Sequence, residues 1–581
     1  MSLDGKDDIS DVLQVTHVGD VPIDGDIDVG VATVEAAEKV YGKYSKWFLF
    51  IGLGLASYVY SLDGSTTYTY LSRAVHYQLS HPTLLFAVGK PVIAKLADTT
   101  SRATAYLAVL LFYVIGYIVI ASAQNVGAIA GGIILYAVGY TGLQLLTQVI
   151  IADITTLKWR GLVSSLTSAP FIVNAFVGSN ISAAVLLHAG WRWGYGMFAI
   201  LIPVSLSPLI VTLYWAENKA KRLGLVKVDP NAPKASDPFS KRAWHFAEQL
   251  DLIGLILLGA AVALILLPLT LSRTTAKGWK GSSIIAMLVV GVVLLFVFAL
   301  WDLRFAKKPV IAPRFLKNRA VVGAAWIGFF DFVSFYLTNT YLWSFVVVVK
   351  PWTILNANYF TSTQTVALTV FGIMAGGLMR YLHRYKWLLV VGLCIRLLGV
   401  GLMIHSRGAQ ASDAEIVWTQ ILQGIGGGFA AVASQVGAQA SVPHADVAII
   451  TAVVLLWTEI GGGVGNAIAG AIWTNTMPKG LLKYLPDVSD DERKTLFGDI
   501  TSVLKYPRGD PIREGVILAY DDTMKILVIA ATVLSVIPIL LALIMPDWYL
   551  GDKQNAVDDA NLAGERVPDS RDDPTNVRGT A

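Results

Sequence analysis

The sequence predicts an all-α membrane protein of about fourteen transmembrane helices, two six-helix halves with an extra helix pair between them. Three observations predict it. Of 581 residues, 55% are hydrophobic and 15% charged, where a soluble globular chain carries roughly 25% charge; the mean hydropathy is +0.59. Apolar runs of about 20 residues, each long enough to cross a hydrocarbon core as a helix, recur from Trp47 almost to the end. Connections between these runs alternate between strongly basic and nearly uncharged. In lipid the backbone must satisfy its own hydrogen bonds, which makes helices the solution for such runs.

The elements follow in order. A polar, acidic segment, 1–45, has no apolar stretch before a cleavage site and reads as a disordered cytoplasmic tail rather than a signal peptide. The first half, 46–215, holds spans at Trp47–Leu62, His81–Leu96, Tyr106–Ala123, Ala128–Ile154, Leu162–Leu187 and Tyr195–Trp215. A basic loop, 216–250, carries Lys219, Lys221, Arg222, Lys227, Lys234, Lys241 and Arg242. The inserted pair, 251–304, spans Leu252–Leu271 and Ser282–Leu303. The second half, 305–546, supplies Val321–Trp343, Tyr359–Tyr381, Trp387–His405, Ile416–Gln439, Val447–Trp473 and Met524–Met545, with an outer loop at 476–523. From 547 to 581 the chain is charged and poor in aromatics, which predicts a second disordered tail.

Basic residues concentrate in short cytoplasmic loops. The loops after the sixth and eighth spans are therefore inside, and both termini are expected in the cytoplasm. The net charge of +4 reflects this loop asymmetry and calls for no nucleic-acid partner. The single cysteine, Cys394, excludes an internal disulfide and a thiolate metal site. No Gly-x-x-x-x-Gly-Lys loop supports ATP-driven pumping. The runs Gly424–Gly428 and Gly461–Gly465 read as surfaces that let helices approach closely.

Residues Gly89 to Arg102 run an apolar helix into a short polar turn. Here Ala94, Asp98, Ser101 and Arg102 occupy the places of a Gly-x-x-x-Asp-x-x-Gly-Arg hairpin, with small residues replacing both glycines. This hairpin resembles the first cytoplasmic turn of major-facilitator transporters. The segments Tyr136–Ser165, Gly328–Phe345, Asn356–Gly376 and Tyr506–Ala531 narrow the resemblance to fungal siderophore–iron transporters, proton-coupled importers of ferric hydroxamates, from Tyr44 to Asp547. The resemblance implies a carrier rather than an enzyme, a multi-pass plasma-membrane protein with room for an additional endosomal pool, and a monomer. It implies iron as ferric-siderophore cargo and protons as coupling ions, with no cofactor and no metal site.

One departure stands out. Too few residues lie between Trp47 and Asp98 for two full spans and an outer loop, and the run Leu84–Ala97 is interrupted by Pro91. Either the second helix begins further back, through Tyr70–Leu79 with Arg73 and His76, or the chain is shortened here, which the comparison with the family favours and which bears on activity.

Ionisable groups in lipid are costly and mark function. Asp331 shares a helical face with Gly328, Ser334, Phe335 and Thr338 beside Phe329, Phe332 and Tyr336; it lines a cavity or is locked in an interhelical bond. Glu459 is a second proton-coupling candidate, next to Trp457. Asp63, at the outer end of the first span, is a third, though solvation is the expectation there. The resemblance assigns Asp98, Arg102 and Asp153 to a gating charge relay. Tyr140, Gln144 and Gln148 recur at four-residue spacing, Gln435 and Gln439 repeat it, and Asn174 and Asn180 add polarity; these amides bond other helices or a ligand rich in carbonyls. In the outer loop, Tyr484 and Arg513 are carried over as uptake residues or belong to a solvated loop. A fourteen-span drug:proton antiporter is the competing reading, but Ser168–Ala169–Pro170 lacks the glycines usual there. A non-transporting sensor of the same fold is the third.

Overall fold

The computed structural model describes residues 28–74, 83–226, 238–271, 278–557 and 561–563, all helix, turn and irregular chain. A short helix, α1 (Val29–Glu38), precedes α2 (Lys43–Ala74), α3 (Thr83–Thr99), α4 (Arg102–Ser122), α5 (Val126–Ile154), α6 (Leu157–Thr167), α7 (Pro170–His188) and α8 (Gly190–Arg222). The insertion follows as α9 (Phe239–Gln249), α10 (Leu252–Leu271) and α11 (Ser282–Arg304). The rest comprises α12 (Pro313–Lys317), α13 (Arg319–Asn339), α14 (Leu342–Val349), α15 (Ile354–Leu382), α16 (Lys386–Ser406), α17 (Asp413–Ala440), α18 (Val447–Tyr484), α19 (Asp490–Gly498), α20 (Ile500–Leu504), α21 (Pro511–Leu534) and α22 (Val536–Ile544).

Side chains at the helix starts explain several boundaries. Ser101 and Asn125 accept from the backbone N–H groups of Thr104 and Ala128, and Ser412 forms a reciprocal cap with Glu415. Pro170 separates α6 from α7 because it has no amide to donate into the turn before it. Leu111, Ile118, Val211, Val289, Phe296 and Leu398 project outward, as expected of surfaces that face lipid. Cys394 is exposed among them.

Among the described residues, 12 helical stretches are long and apolar enough to cross a membrane, or 13 when the bent pair of α9 and α10 is included. The expected fourteenth, α3, has 17 described residues, about 26 Å at 1.5 Å per residue, less than the roughly 30 Å hydrocarbon core. Of the two readings of this region, an earlier start of the second helix through Tyr70–Leu79 fails for residues 70–74, which belong to α2, one helix of 32 residues; residues 75–82, on which the shortened reading also turns, lie outside the described residues. His76, expected in that earlier start, lies outside the described residues.

Helices α2 to α8 pack as one bundle and α13 to α22 as another, with α10 against α3 and α18 and α11 packed on α10. The bundles meet through α3 with α18 and α6 and α7 with α15. Within the second, glycines permit the closest approaches: a Cβ on Gly428 would lie 2.4 Å from the Leu368 carbonyl oxygen, and one on Gly461 2.2 Å from that of Phe329. Both runs thus serve helix packing, as their composition predicts.

The disordered-tail expectation is corrected for residues 28–38 and 547–557; residues 1–27, 558–560 and 564–581 of the two tails lie outside the described residues. α1 is folded, with Gly30, Val31, Ala32 and Ala36 buried. Beyond α22, residues 547–557 form a strap on the face that carries the basic loops. It accepts from Leu157 N at Lys553 O and from Lys158 N at Gly551 O, each 3.0 Å, and donates from Ala556 N to Ala440 O at 3.1 Å. It therefore touches both bundles. The expected outer loop is also shorter: α18 continues to Tyr484 and α21 begins at Pro511, with α19 and α20 folded between them.

Candidate functional site

The polar turn between α3 and α4 builds one end of the site. Arg102, the first residue of α4, points its guanidinium at two carboxylates: Nη1 donates to Asp98 Oδ1 at 2.7 Å and Nε to Asp153 Oδ2 at 2.8 Å. All three are nearly solvent-free. The second oxygen of Asp153 lies 2.9 Å from His444 Nε2, and the other ring nitrogen of His444 lies 3.4 Å from Glu35 of α1. Asp98, Arg102 and Asp153 thus come together, as expected, and His444 extends the chain of charges into the other bundle. Arg314 donates to Asp446 at 2.8 Å beside it. Within α1, burial raises the Glu38 carboxyl above its ordinary value of 4.5, against the lowering effect of Lys46.

Deeper in the bundle, Lys90 of α3 donates to Glu459 of α18 at 2.8 Å, a pair that bridges the two bundles with Lys90 fully buried and the Glu459 side chain 16% exposed. Asp331 pairs instead within its own bundle, 2.6 Å from Arg396 Nε of α16. Asp63 is the sharpest correction. It is not solvated at a helix end, because α2 continues three turns beyond it, and it is completely buried. Thr67, Tyr113 and Tyr117 donate to its carboxylate, and Tyr136 does so at 3.3 Å.

Between the bundles lies a cavity of about 180 Å³ lined by Gln144, Gln148, Gln435 and Gln439, with Arg160, Ser164, Ser165 and Thr369 among the other walls. Ser164 donates to Gln148 Oε1 at 2.7 Å and Gln439 Nε2 to Thr451 at 2.9 Å. The other expected cavity residues lie elsewhere. Tyr140 stacks on Tyr60 with centroids 4.4 Å apart. Asn174 donates to the Tyr58 carbonyl, and Asn180 to that of Phe176. Phe332 and Tyr336 pack together on α13, and Trp457 rests on Trp326.

On the opposite face, Tyr484 donates to Asp522 at 2.9 Å and accepts from Lys483 at 2.7 Å. Arg513 is buried rather than facing solvent: its guanidinium caps the carbonyls of Val348 at 3.1 Å and Tyr506 at 3.0 Å. Among the described residues no three His, Cys, Asp or Glu side chains gather as metal ligands would. Lys90, Arg396, His444 and Arg160 were not singled out from sequence. Lys90, Arg396 and His444 each partner a carboxylate that was, so a search for cations within the apolar spans would have found Lys90 and Arg396.

The comparisons agree with this architecture. Residues 45–372 match the model of the Major Facilitator Superfamily. The chain is 37% identical to the siderophore transporter fer7 of Mycosarcoma maydis, covering 94% of this chain and 87% of that protein. It is 36% identical to the low affinity heme transporter str3 of Schizosaccharomyces pombe, over 91% and 87%, and 36% identical to the siderophore iron transporter mirC of Emericella nidulans, over 93% and 90%. A solved mutant of the peptide transporter POT bound to alafosfalin, 13% identical, superposes with a TM-score of 0.52 over 89% of this chain and 99% of that one, a likeness of fold alone. Matched along most of its length and built as two bundles around a polar cavity, the chain belongs to the major facilitator superfamily and, within it, to the fungal siderophore–iron transporters.

Proposed function

We propose that this protein imports ferric siderophores of the hydroxamate type across the plasma membrane, driven by the proton gradient, with both termini in the cytoplasm. The observation that carries the reading is the cavity between the bundles, whose glutamines and serines suit a ligand that presents a ring of amides. Iron arrives already wrapped in the ligand's oxygens and is cargo. The basic loops on the same face support a cytoplasmic position for the strap and the Arg102–Asp153–His444 chain.

The Lys90–Glu459 pair supports proton coupling. When Glu459 takes a proton it loses its charge, and its attraction for Lys90 falls to that of a neutral hydrogen bond. The two bundles then lose a tie deep between them. Return of the proton restores the tie. Asp98, Arg102, Asp153 and His444 close the inner side in the same description, because separating the bundles there would strand buried charges.

The test is accumulation of radiolabelled iron from a panel of ferric siderophores in cells lacking their own carriers. Uptake of hydroxamates that stops when the proton gradient is collapsed at constant membrane potential supports the reading. Persistence under that collapse removes proton coupling, and absence of all uptake in correctly localised protein favours a sensor. Hemin belongs in the panel because one relative is a heme transporter; uptake of hemin alone would favour that second reading.

A further inference from the structure

The central cavity has one ionisable wall. Arg160, at the start of α6, is 1% exposed, and the remaining lining residues are glutamine, serine, threonine, glycine and aliphatic side chains. One nitrogen of its guanidinium is well occupied: Nη2 donates to the carbonyls of Ala152 at 3.0 Å, Thr155 at 3.3 Å and Gln554 at 2.8 Å. These contacts hold the end of α5 and the strap. Nε and Nη1, by contrast, have no hydrogen-bond partner. The nearby carboxylate, Asp153, has one oxygen on Arg102 and the other on His444.

A buried guanidinium without a bonded anion is costly, and an unmet buried N–H adds to that cost. The cavity has a second unmet donor, Gln435 Nε2. Ser164 and Gln439 spend their donors on Gln148 and Thr451, and Ser165 donates to the Gly161 carbonyl at 2.6 Å. The unmet buried demand of the cavity walls is therefore for an acceptor, and its formal charge is positive. Nε and Nη1 lie on different edges of the guanidinium, with the occupied Nη2 between them, so each can meet an anion oxygen through a single charge-assisted bond.

We propose that Arg160 is an anion-binding subsite at the floor of the cavity, and that the preferred cargo is a ferric chelate carrying a free carboxylate rather than a neutral one. This rests on the import reading for the cargo, but the subsite itself does not. Arg160 binds the carboxylate, Gln435 donates to a neighbouring oxygen, and the glutamines of α5 and α17 contact the amide shell.

The experiment uses the full chain purified in detergent and two ferric trihydroxamates that differ in one group, a free carboxylic acid against its methyl ester. The acid is expected to bind about ten-fold or more tighter than the ester, the scale of one charge-assisted hydrogen bond. In Arg160→Gln that ratio falls to near one; Arg160→Lys, which keeps the charge, retains part of the preference. Equal binding of acid and ester by the unaltered protein overturns the proposal whether or not the Gln variant folds, and so does a preference that survives in a folded Arg160→Gln. If neither chelate binds, the import reading fails, and acetate and citrate decide the subsite through thermal unfolding. Protection of the unaltered and Lys proteins by these anions, reduced in Arg160→Gln, upholds it; no protection of the unaltered protein overturns it.

Discussion

In the first bundle Asp63 is met by the hydroxyls of Thr67, Tyr113, Tyr117 and Tyr136, whereas in the second Asp331 is met by the guanidinium of Arg396. Both carboxylates sit inside long helices. A hydroxyl cage can serve a carboxylate or a carboxylic acid, because tyrosine and threonine accept as readily as they donate. An arginine serves only the charged form. Glu459 shares the second arrangement but with its cation on the other bundle, so a change in its charge bears on how the bundles meet. Asp331 is thus cast as architecture, Glu459 as the coupling group, and Asp63 as a site whose charge can change without stranding a partner.

The largest test of that contrast is Asp331→Asn. It leaves Arg396 buried without its counter-ion, a defect of about 3–5 kcal/mol, so thermal unfolding in detergent should move down sharply and surface protein should fall. Adding Arg396→Gln should recover much of the loss. An unchanged unfolding temperature would show that Asp331 is not held as described.

Glu459→Gln comes next. Gradient-driven accumulation should drop at least about ten-fold, a change of 1.4 kcal/mol or more, while exchange of labelled cargo between the two sides of a vesicle continues. If exchange stops together with accumulation, Glu459 is needed for movement itself rather than for coupling.

Asp63→Asn should cost only about 1 kcal/mol, since the amide keeps hydrogen bonds to its hydroxyl neighbours. A loss as large as that of Asp331→Asn would erase the distinction between cage and ion pair.

The smallest effect concerns Glu38, whose carboxyl is raised by burial. A raised acid contributes stability that is complete below its ordinary value of 4.5 and is lost as pH rises through the raised value. Glu38→Gln should therefore flatten the dependence of unfolding temperature on pH above 4.5, by an amount within about 0.5 kcal/mol. An unaltered slope would place that dependence on other groups.

Much of the fold was legible from sequence because lipid enforces a simple rule: long apolar runs become helices. The rule failed where a helix turns polar inside the protein. After Leu62 the chain reads as a loop, yet Ser65 and Thr66 donate to the carbonyls of Ser61 and Leu62 one turn back, and Asp63 faces tyrosines of α4 and α5. Hydropathy records the side chain, not the neighbour it meets. The gating trio was legible as a resemblance, but His444, which extends it, lies 291 residues beyond Asp153 in sequence. Lys90 and Glu459 are separated by 369 residues, a pairing that no local pattern encodes. Of the cavity, the amides of α5 and α17 were found by spacing, while Tyr140 and Asn174 were misplaced because a polar stripe can equally bond another helix. The tail was misjudged because backbone hydrogen bonds hold the strap, and composition does not register them.

That strap makes the protein its own chronometer. Its carbonyls protect the amides of Leu157 and Lys158 in one bundle, and the Ala440 carbonyl in the other protects the amide of Ala556. Parting the bundles on this face pulls on both attachments, exposing these amides together to solvent deuterium. Their common exchange rate would report the frequency of opening with no cargo or gradient present, and comparing it with the rate of iron delivery would reveal how many openings go unused.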